Sequence, residues 1–206
     1  VDVVRQQRKG HGGVFRREDD GRTPSGIAEE YAFFRLIFAA LAAQDETLQD
    51  DMLKAGVRLM ARYGYTTAQD GRSDARGLAA MARVAARGEL PVDLVAYPDM
   101  LMVQDVSPSR SYRGRFRVGG VKLTIDGSPQ GKTAWLASPY YRSPEGRDAD
   151  YAGYPAIDRD TINASLLRAW SNGWQILVHA NGDAAIDALI DGVRAARGAY
   201  PQVANR

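Results

Sequence analysis

From Tyr65 onward the chain alternates short apolar runs with runs of helical period, and this rhythm limits the fold more than any other feature. A strand is expected over 65–68 and a helix over 74–87, closed by Gly88. A strand over 92–97 stops at Pro98. Residues 116–118 and 121–125 are strand-like. A helix capped by Asp158 or Asp160 reaches Asn172 and stops at Gly173. A strand over 175–179 and a helix over 183–197 follow. Strands that alternate with helices of this length imply parallel βαβ units. The strands are apolar on both faces, as a helix-covered sheet requires. Two α/β architectures fit, an open doubly wound sheet and a TIM-type barrel. Both place ligands at the carboxyl ends of strands. The residues to examine are therefore Gln69 and Asp70, Tyr97 and Asp99, Lys122 and Asp126, and His179 and Asp183.

The leading segment, 1–26, is rich in Gly, Arg and Asp and reads as loops, with a short hairpin near Val14 and Phe15. A helix is expected over 27–42, with Glu29 and Glu30 in its first turn, where the helix dipole favours acids. A second helix over 46–62 follows from the spacing of Leu48, Met52, Leu53, Val57, Leu59 and Met60, and Gly64 ends it. Residues 27–206 are read as one domain, with no linker.

Composition excludes several classes. With 206 residues, 45% of them apolar and 25% charged, the chain has the make-up of a globular domain with a real core. The longest apolar run, 33–43, contains Arg35 and is too short to cross a bilayer. The first ten residues are polar and basic, unlike a secretory signal. The first residue is not Met, as expected of a processed or excised chain. The absence of Cys excludes disulfides and thiolate zinc sites, and it fits a cytoplasmic location. Arg110, Arg113, Arg115 and Arg117 are interleaved with Tyr112 and Phe116, but no nucleic-acid motif accompanies them, and an exposed strand or loop is expected. Neither a nucleic acid nor a membrane is expected as a partner.

Residues 127–133 end in Gly-Lys-Thr and imitate a phosphate-binding loop. That loop needs four residues between its glycines so that successive N–H groups wrap the phosphates. Here Asp126 stands where the first glycine belongs, and a nucleotide site is not expected. Lys122 is more informative. An ammonium on an apolar strand loses hydration or loses its proton. A neutral buried amine can form a Schiff base, or take up carbon dioxide as a carbamate that binds metal. Its structural alternative is a stem that reaches the strand end and pairs with Asp126 or Asp70. His179 ends an apolar strand, a common place for a metal ligand or a base, and equally for a hydrogen-bonded core histidine. Both residues end consecutive strands of one parallel series.

The segment Gly119-Gly-Val-Lys-Leu-Thr-Ile-Asp-Gly-Ser128, with Thr133-Ala-Trp and Pro139-Tyr140, resembles the YtcJ-like branch of the amidohydrolase superfamily, of the amidohydrolase 3 type. So does Asn172-Gly-Trp-Gln-Ile-Leu-Val-His-Ala-Asn-Gly-Asp-Ala-Ala-Ile-Asp187. The stretches 64–71 and 12–22 add weaker matches in the same order. The resemblance implies a partial TIM-type barrel, strands two to five with their helices. It implies a metal-activated water that hydrolyses amide, N-acyl or related C–N bonds of a small molecule. Lys122, as its carbamate, and His179 would be metal ligands. Asp126 and Asp183 would support them or cap helices. The metal would be divalent, zinc, with one or two ions in the complete enzyme and possible loss from a partial chain.

The His-x-His pair of the first strand is expected before residue 1. The histidine of the sixth strand and the catalytic Asp of the eighth are expected after Arg206. His11 matches none of these and reads as a loop residue. A TIM barrel typically takes about 250 residues, so an incomplete and inactive piece is expected. Its partner would be the remainder of the parent chain or a second copy. Two other readings stay open: a Schiff-base lyase using Lys122, and a non-catalytic α/β fragment.

Overall fold

The structure, a computed structural model, describes residues 13–203; His11 lies outside the described residues. The element order is β1 (Gly13–Arg17), β2 (Pro24–Glu30), α1 (Tyr31–Ala42), α2 (Glu46–Arg62), β3 (Thr67–Ser73), α3 (Ala75–Ala86), β4 (Asp93–Pro98), β5 (Phe116–Val118), β6 (Val121–Thr124), α4 (Arg159–Ser171), β7 (Ile176–His179) and α5 (Asp183–Ala199). The fold is mixed α/β, and among the described residues the strands do not close into a barrel. They form a β1-β2 hairpin, a sheet ordered β3-β4-β5 and a β6-β7 pair.

The chain divides into two compact units. One holds Ala42–Leu123, Ala169–Leu177 and the residues from Gln202. Here the Asp45 carboxylate caps α2 by accepting the Leu48 N–H at 2.8 Å, and Asp74 caps α3 through Gly77 N–H at 2.7 Å. Gly64 and Gly88 end these helices at φ of +85° and +71°, angles that only glycine adopts without strain. The apolar faces meet in a core built on Val57, Ala68, Met81, Val84, Leu90 and Leu94. β3, β4 and β5 run parallel, with Thr67 beside Asp93 and Leu94 beside Phe116. β3 runs past the expected 65–68, through Gln69, Asp70 and Gly71, to a bulge before Ser73. Outside the core, Asp50 joins α2 to α3 through Arg83 at 2.8 Å and Arg87 at 2.9 Å.

The other unit gathers residues up to Leu41, Thr124–Arg168 and Val178–Pro201. The first helix begins at Tyr31, not at Ile27, because β2 pairs with β1 as far as Glu30. Glu29 and Glu30 therefore do not occupy a helical first turn. Glu29 is buried on the hairpin and accepts from Arg16 at 2.5 Å and from the Tyr154 hydroxyl at 3.0 Å. An exposed dipole cannot compete with a buried ion pair of this kind. Asp158 caps α4, accepting Thr161 N–H at 2.7 Å. Gly192 of α5 lets that helix pack close to Leu166 of α4, where a Cβ would come under 3.0 Å from the leucine side chain.

Candidate metal site

β6 is the strand that sequence periodicity singles out. Val121, Leu123 and Ile125 are fully buried. Strand alternation sends Lys122 and Thr124 to the opposite face. At Lys122 the backbone is tied to the β4 terminus: Asp99 bridges to it in parallel, and Met100 N–H donates to Lys122 O at 3.0 Å. Asp99 is itself fully buried and receives Arg72 Nε at 2.9 Å and Leu101 N–H at 2.9 Å. Burial of the Lys122 amine, with the Arg72 guanidinium adding to it, holds the amine below the usual lysine value, while Asp99 opposes the shift. More of the side chain is then neutral amine, the form that attacks carbon dioxide or a carbonyl carbon. Arg72 carried no signal in the sequence; it reaches this site because the bulge in β3 sets it against Asp99, 27 residues away.

His179 closes β7. Ile125 N–H donates to His179 O at 2.9 Å, and in a parallel ladder this sets His179 beside Thr124. The imidazole Nε2 lies 2.8 Å from Gly127 O, and Asn181 Nδ2 donates to the same carbonyl at 2.9 Å. Nε2 and Asn181 Nδ2 are also only 3.1 Å apart. A carbonyl oxygen only accepts, so Nε2 carries the proton, and the short nitrogen–nitrogen distance follows from two donors converging on one acceptor. The lone pair is then on Nδ1. Metal-bound histidines commonly have this arrangement, with the far N–H fixed on a carbonyl. The donor chemistry thus fits a divalent metal at Nδ1. Among the described residues no group of three or more His, Asp or Glu stands close enough to enclose an ion.

Asp126 is fully buried and accepts three backbone N–H groups, from Trp135 at 2.9 Å, Asn181 at 2.9 Å and Gly182 at 2.8 Å. It pins the segment after β7 to the loop after β6, and its Oδ1 is 3.8 Å from His179 Nε2. Asp183 is the first residue of α5, where Gly182 is the N-cap; its carboxylate instead accepts Ala137 N–H at 2.7 Å. The 127–133 loop turns its amides inward. Gly127 N–H donates to Thr133 O and Thr133 N–H to Ser128 O, while Ser128 N–H donates to Thr133 Oγ1 at 3.0 Å. Thr133 Oγ1 donates to Glu30 Oε1 at 2.5 Å. No helix follows until α4, so the phosphate-loop likeness ends at the sequence. Of the arginine run, Arg117 lies over the Tyr112 ring at 5.3 Å, and Arg115 pairs with Asp93 at 3.6 Å. No helix among the described residues is long and apolar enough to cross a membrane.

The model of the amidohydrolase family matches residues 2–206. The chain belongs to the amidohydrolase family. This amidohydrolase chain is 24% identical to the exoenzymes regulatory protein AepA of Pectobacterium carotovorum, across 92% of its own length and 41% of that protein's. It shares its fold with two metal-dependent hydrolases of known structure. One, from Pyrococcus horikoshii, has a TM-score of 0.67 at 21% identity, over 88% of this chain and 37% of that one. The other, from Pyrococcus furiosus, has a TM-score of 0.67 at 22% identity, over 95% and 40%. The amidohydrolase chain thus spans about two-fifths of the length of the relatives it matches.

Proposed function

We propose that this chain supplies part of the metal centre of a hydrolase that cleaves C–N bonds, amide or N-acyl, in small molecules. In this reading Lys122 and His179 are ligands within a partial TIM-type barrel, corresponding to strands two to five. The observation that carries it is the His179 ring, whose Nε2–H is fixed on Gly127 O so that Nδ1 is left as donor. Family membership supplies the context. Lys122 supports it too, since burial favours its neutral amine. That amine adds to carbon dioxide: an N–C bond forms, a proton leaves nitrogen, and the resulting carbamate is a carboxylate-type ligand.

A divalent metal, zinc on this imidazole and carboxylate chemistry, would supply Lewis-acid activation of water. The residues of this chain then have separate tasks. His179 and Lys122 would hold the ion, Gly127 O fixes the His179 ring, Asn181 donates to that same carbonyl, and Asp126 anchors the loop that follows His179. The test is hydrolysis of a panel of N-acyl amino acids and simple amides by the native protein at its natural length. Cleavage lost to a chelator and restored by zinc is expected. Cleavage indifferent to the chelator contradicts the reading. The lowered Lys122 amine also suits a Schiff base, and borohydride trapping of substrate on Lys122 would favour that lyase chemistry instead.

A further inference from the structure

The arginine run that stands out in the sequence has no part in the metal-site reading. Two of its members, Arg110 and Arg117, line a cleft of about 350 Å³ together with Trp174 and Gln175. The cleft lies beside Gly119, ahead of β6, and beside Gln175, ahead of β7. Catalytic groups of α/β folds gather at the carboxyl ends of strands instead. Within the same unit Arg72, Arg83, Arg87 and Arg115 each pair with a carboxylate. Among the described residues neither Arg110 nor Arg117 does, and no Asp or Glu lines the cleft. Arg117 is nevertheless held in place: its Nη1 donates to Ser109 O at 3.2 Å, and its guanidinium lies 5.3 Å over the Tyr112 ring. Ser109 N–H donates to Val118 O at 2.8 Å, which ties the segment carrying Arg110 to β5. Gln175 Oε1 accepts the Tyr97 hydroxyl at 3.0 Å, so the Gln175 amide N–H groups are left as donors. The cleft therefore presents two cations with no anion among them.

We infer that this cleft binds a small, ring-bearing phosphate monoester, with the phosphate on Arg110 and Arg117 and the ring on Trp174. A phosphate monoester carries close to two negative charges at neutral pH. Two guanidinium groups balance that charge, and their planar forks match phosphate oxygens in pairs. The half-buried indole of Trp174 offers a face on which a ring stacks. A volume of about 350 Å³ suits a ligand of this size. No His, Lys, Asp or Glu lines the cleft to move a proton, so the ligand is bound and not turned over. The inference does not depend on the metal-site reading of Lys122 and His179.

The test titrates phenyl phosphate calorimetrically into the native protein at natural length, in a chelator so that no metal ion takes part. Saturable binding is expected. Inorganic phosphate, which lacks the ring, should bind about fivefold or more weaker, and benzoate, which lacks the second charge, about tenfold or more weaker. Arg110 makes no hydrogen bond or ion pair among the described residues. Arg110→Ala should therefore keep the melting temperature while weakening phenyl phosphate about tenfold or more, as loss of a charge-assisted hydrogen bond does. Arg117→Lys, which keeps the charge and loses the fork, should weaken it less than Arg117→Ala. Arg113→Ala removes the same charge outside the cleft and should leave the affinity within about twofold. Absence of saturable binding overturns the inference, as does inorganic phosphate bound as tightly as phenyl phosphate. An equal loss in Arg110→Ala and Arg113→Ala overturns it too, since that marks a diffusely positive surface. So does tighter binding of a single-stranded oligonucleotide than of phenyl phosphate, which marks a nucleic-acid track.

Discussion

Asp126→Asn is the sharpest perturbation of the loops around His179. The carboxylate accepts two N–H groups on Oδ2, from Trp135 and Gly182, and one on Oδ1, from Asn181. The amide of asparagine keeps one oxygen. Turned toward Trp135 and Gly182, it sets its own NH2 against the Asn181 N–H; turned the other way, it forfeits two bonds. At least one hydrogen bond to a charged acceptor is lost, worth about 1.5–3 kcal/mol, and those retained become neutral and weaker. Removing a buried anion returns part of its desolvation cost. The net destabilisation is about 2–3 kcal/mol, which for a chain of this length lowers the melting temperature by about 5–10 °C. Circular dichroism melts of the two proteins measure it. A variant that melts within about 1 °C of the parent would show that these three bonds do not hold the loops.

Three further outcomes are expected. The Arg83 hydrogen bond holds the Asp50 carboxyl below the usual carboxylate range, with burial opposing and Arg87 adding to the lowering. A depressed carboxyl contributes stability that is present above the unfolded value of about 3.9 and is lost as pH falls through the folded value. Asp50→Asn should therefore show a smaller drop in melting temperature from pH 7 to pH 3 than the parent, and an equal drop would contradict the pairing. In Gly182→Ala the new Cβ would stand under 3.0 Å from the Trp135 carbonyl, which is backbone and cannot swing away; a loss of about 1–3 kcal/mol or more is expected in urea melts, and native stability would refute the close approach. Ile27, Phe33, Leu36 and Ile37 remain 40–51% exposed on β2 and α1. A patch of this kind favours association, so sedimentation of the 206-residue chain should show self-association, against which a single monomer with a sharp melt would count.

Local signals served well where the local contest is the whole contest. α2 is expected over 46–62 and is found at Glu46–Arg62, because its apolar stripe, its Asp45 cap and the left-handed Gly64 all lie in sequence. β5 is likewise found at its expected bounds. The start of α1 was illegible for the opposite reason: Glu29 is claimed by Arg16 and by Tyr154, 125 residues on, and no window around 27–30 contains that partner. The polar end of β3 was also missed, since Gln69, Asp70 and Gly71 have poor strand propensity and are extended by their pairing with β4. At the site, Lys122 and His179 stood out because each breaks an apolar run. Asp99 was marked only by its place at a strand end and Arg72 not at all, because they reach Lys122 only through the parallel register of β3, β4 and β6.

The proposed metal ion would be held by His179 and Lys122, the histidine through Nδ1. Anomalous scattering recorded on either side of the zinc edge from crystals of the native protein at natural length tests it directly. The account predicts a peak about 2.0–2.1 Å from His179 Nδ1, with density for a carbamate on Lys122 reaching the same ion and Nε2 still on Gly127 O. A peak on Nε2, or one bound by neither residue, would contradict it.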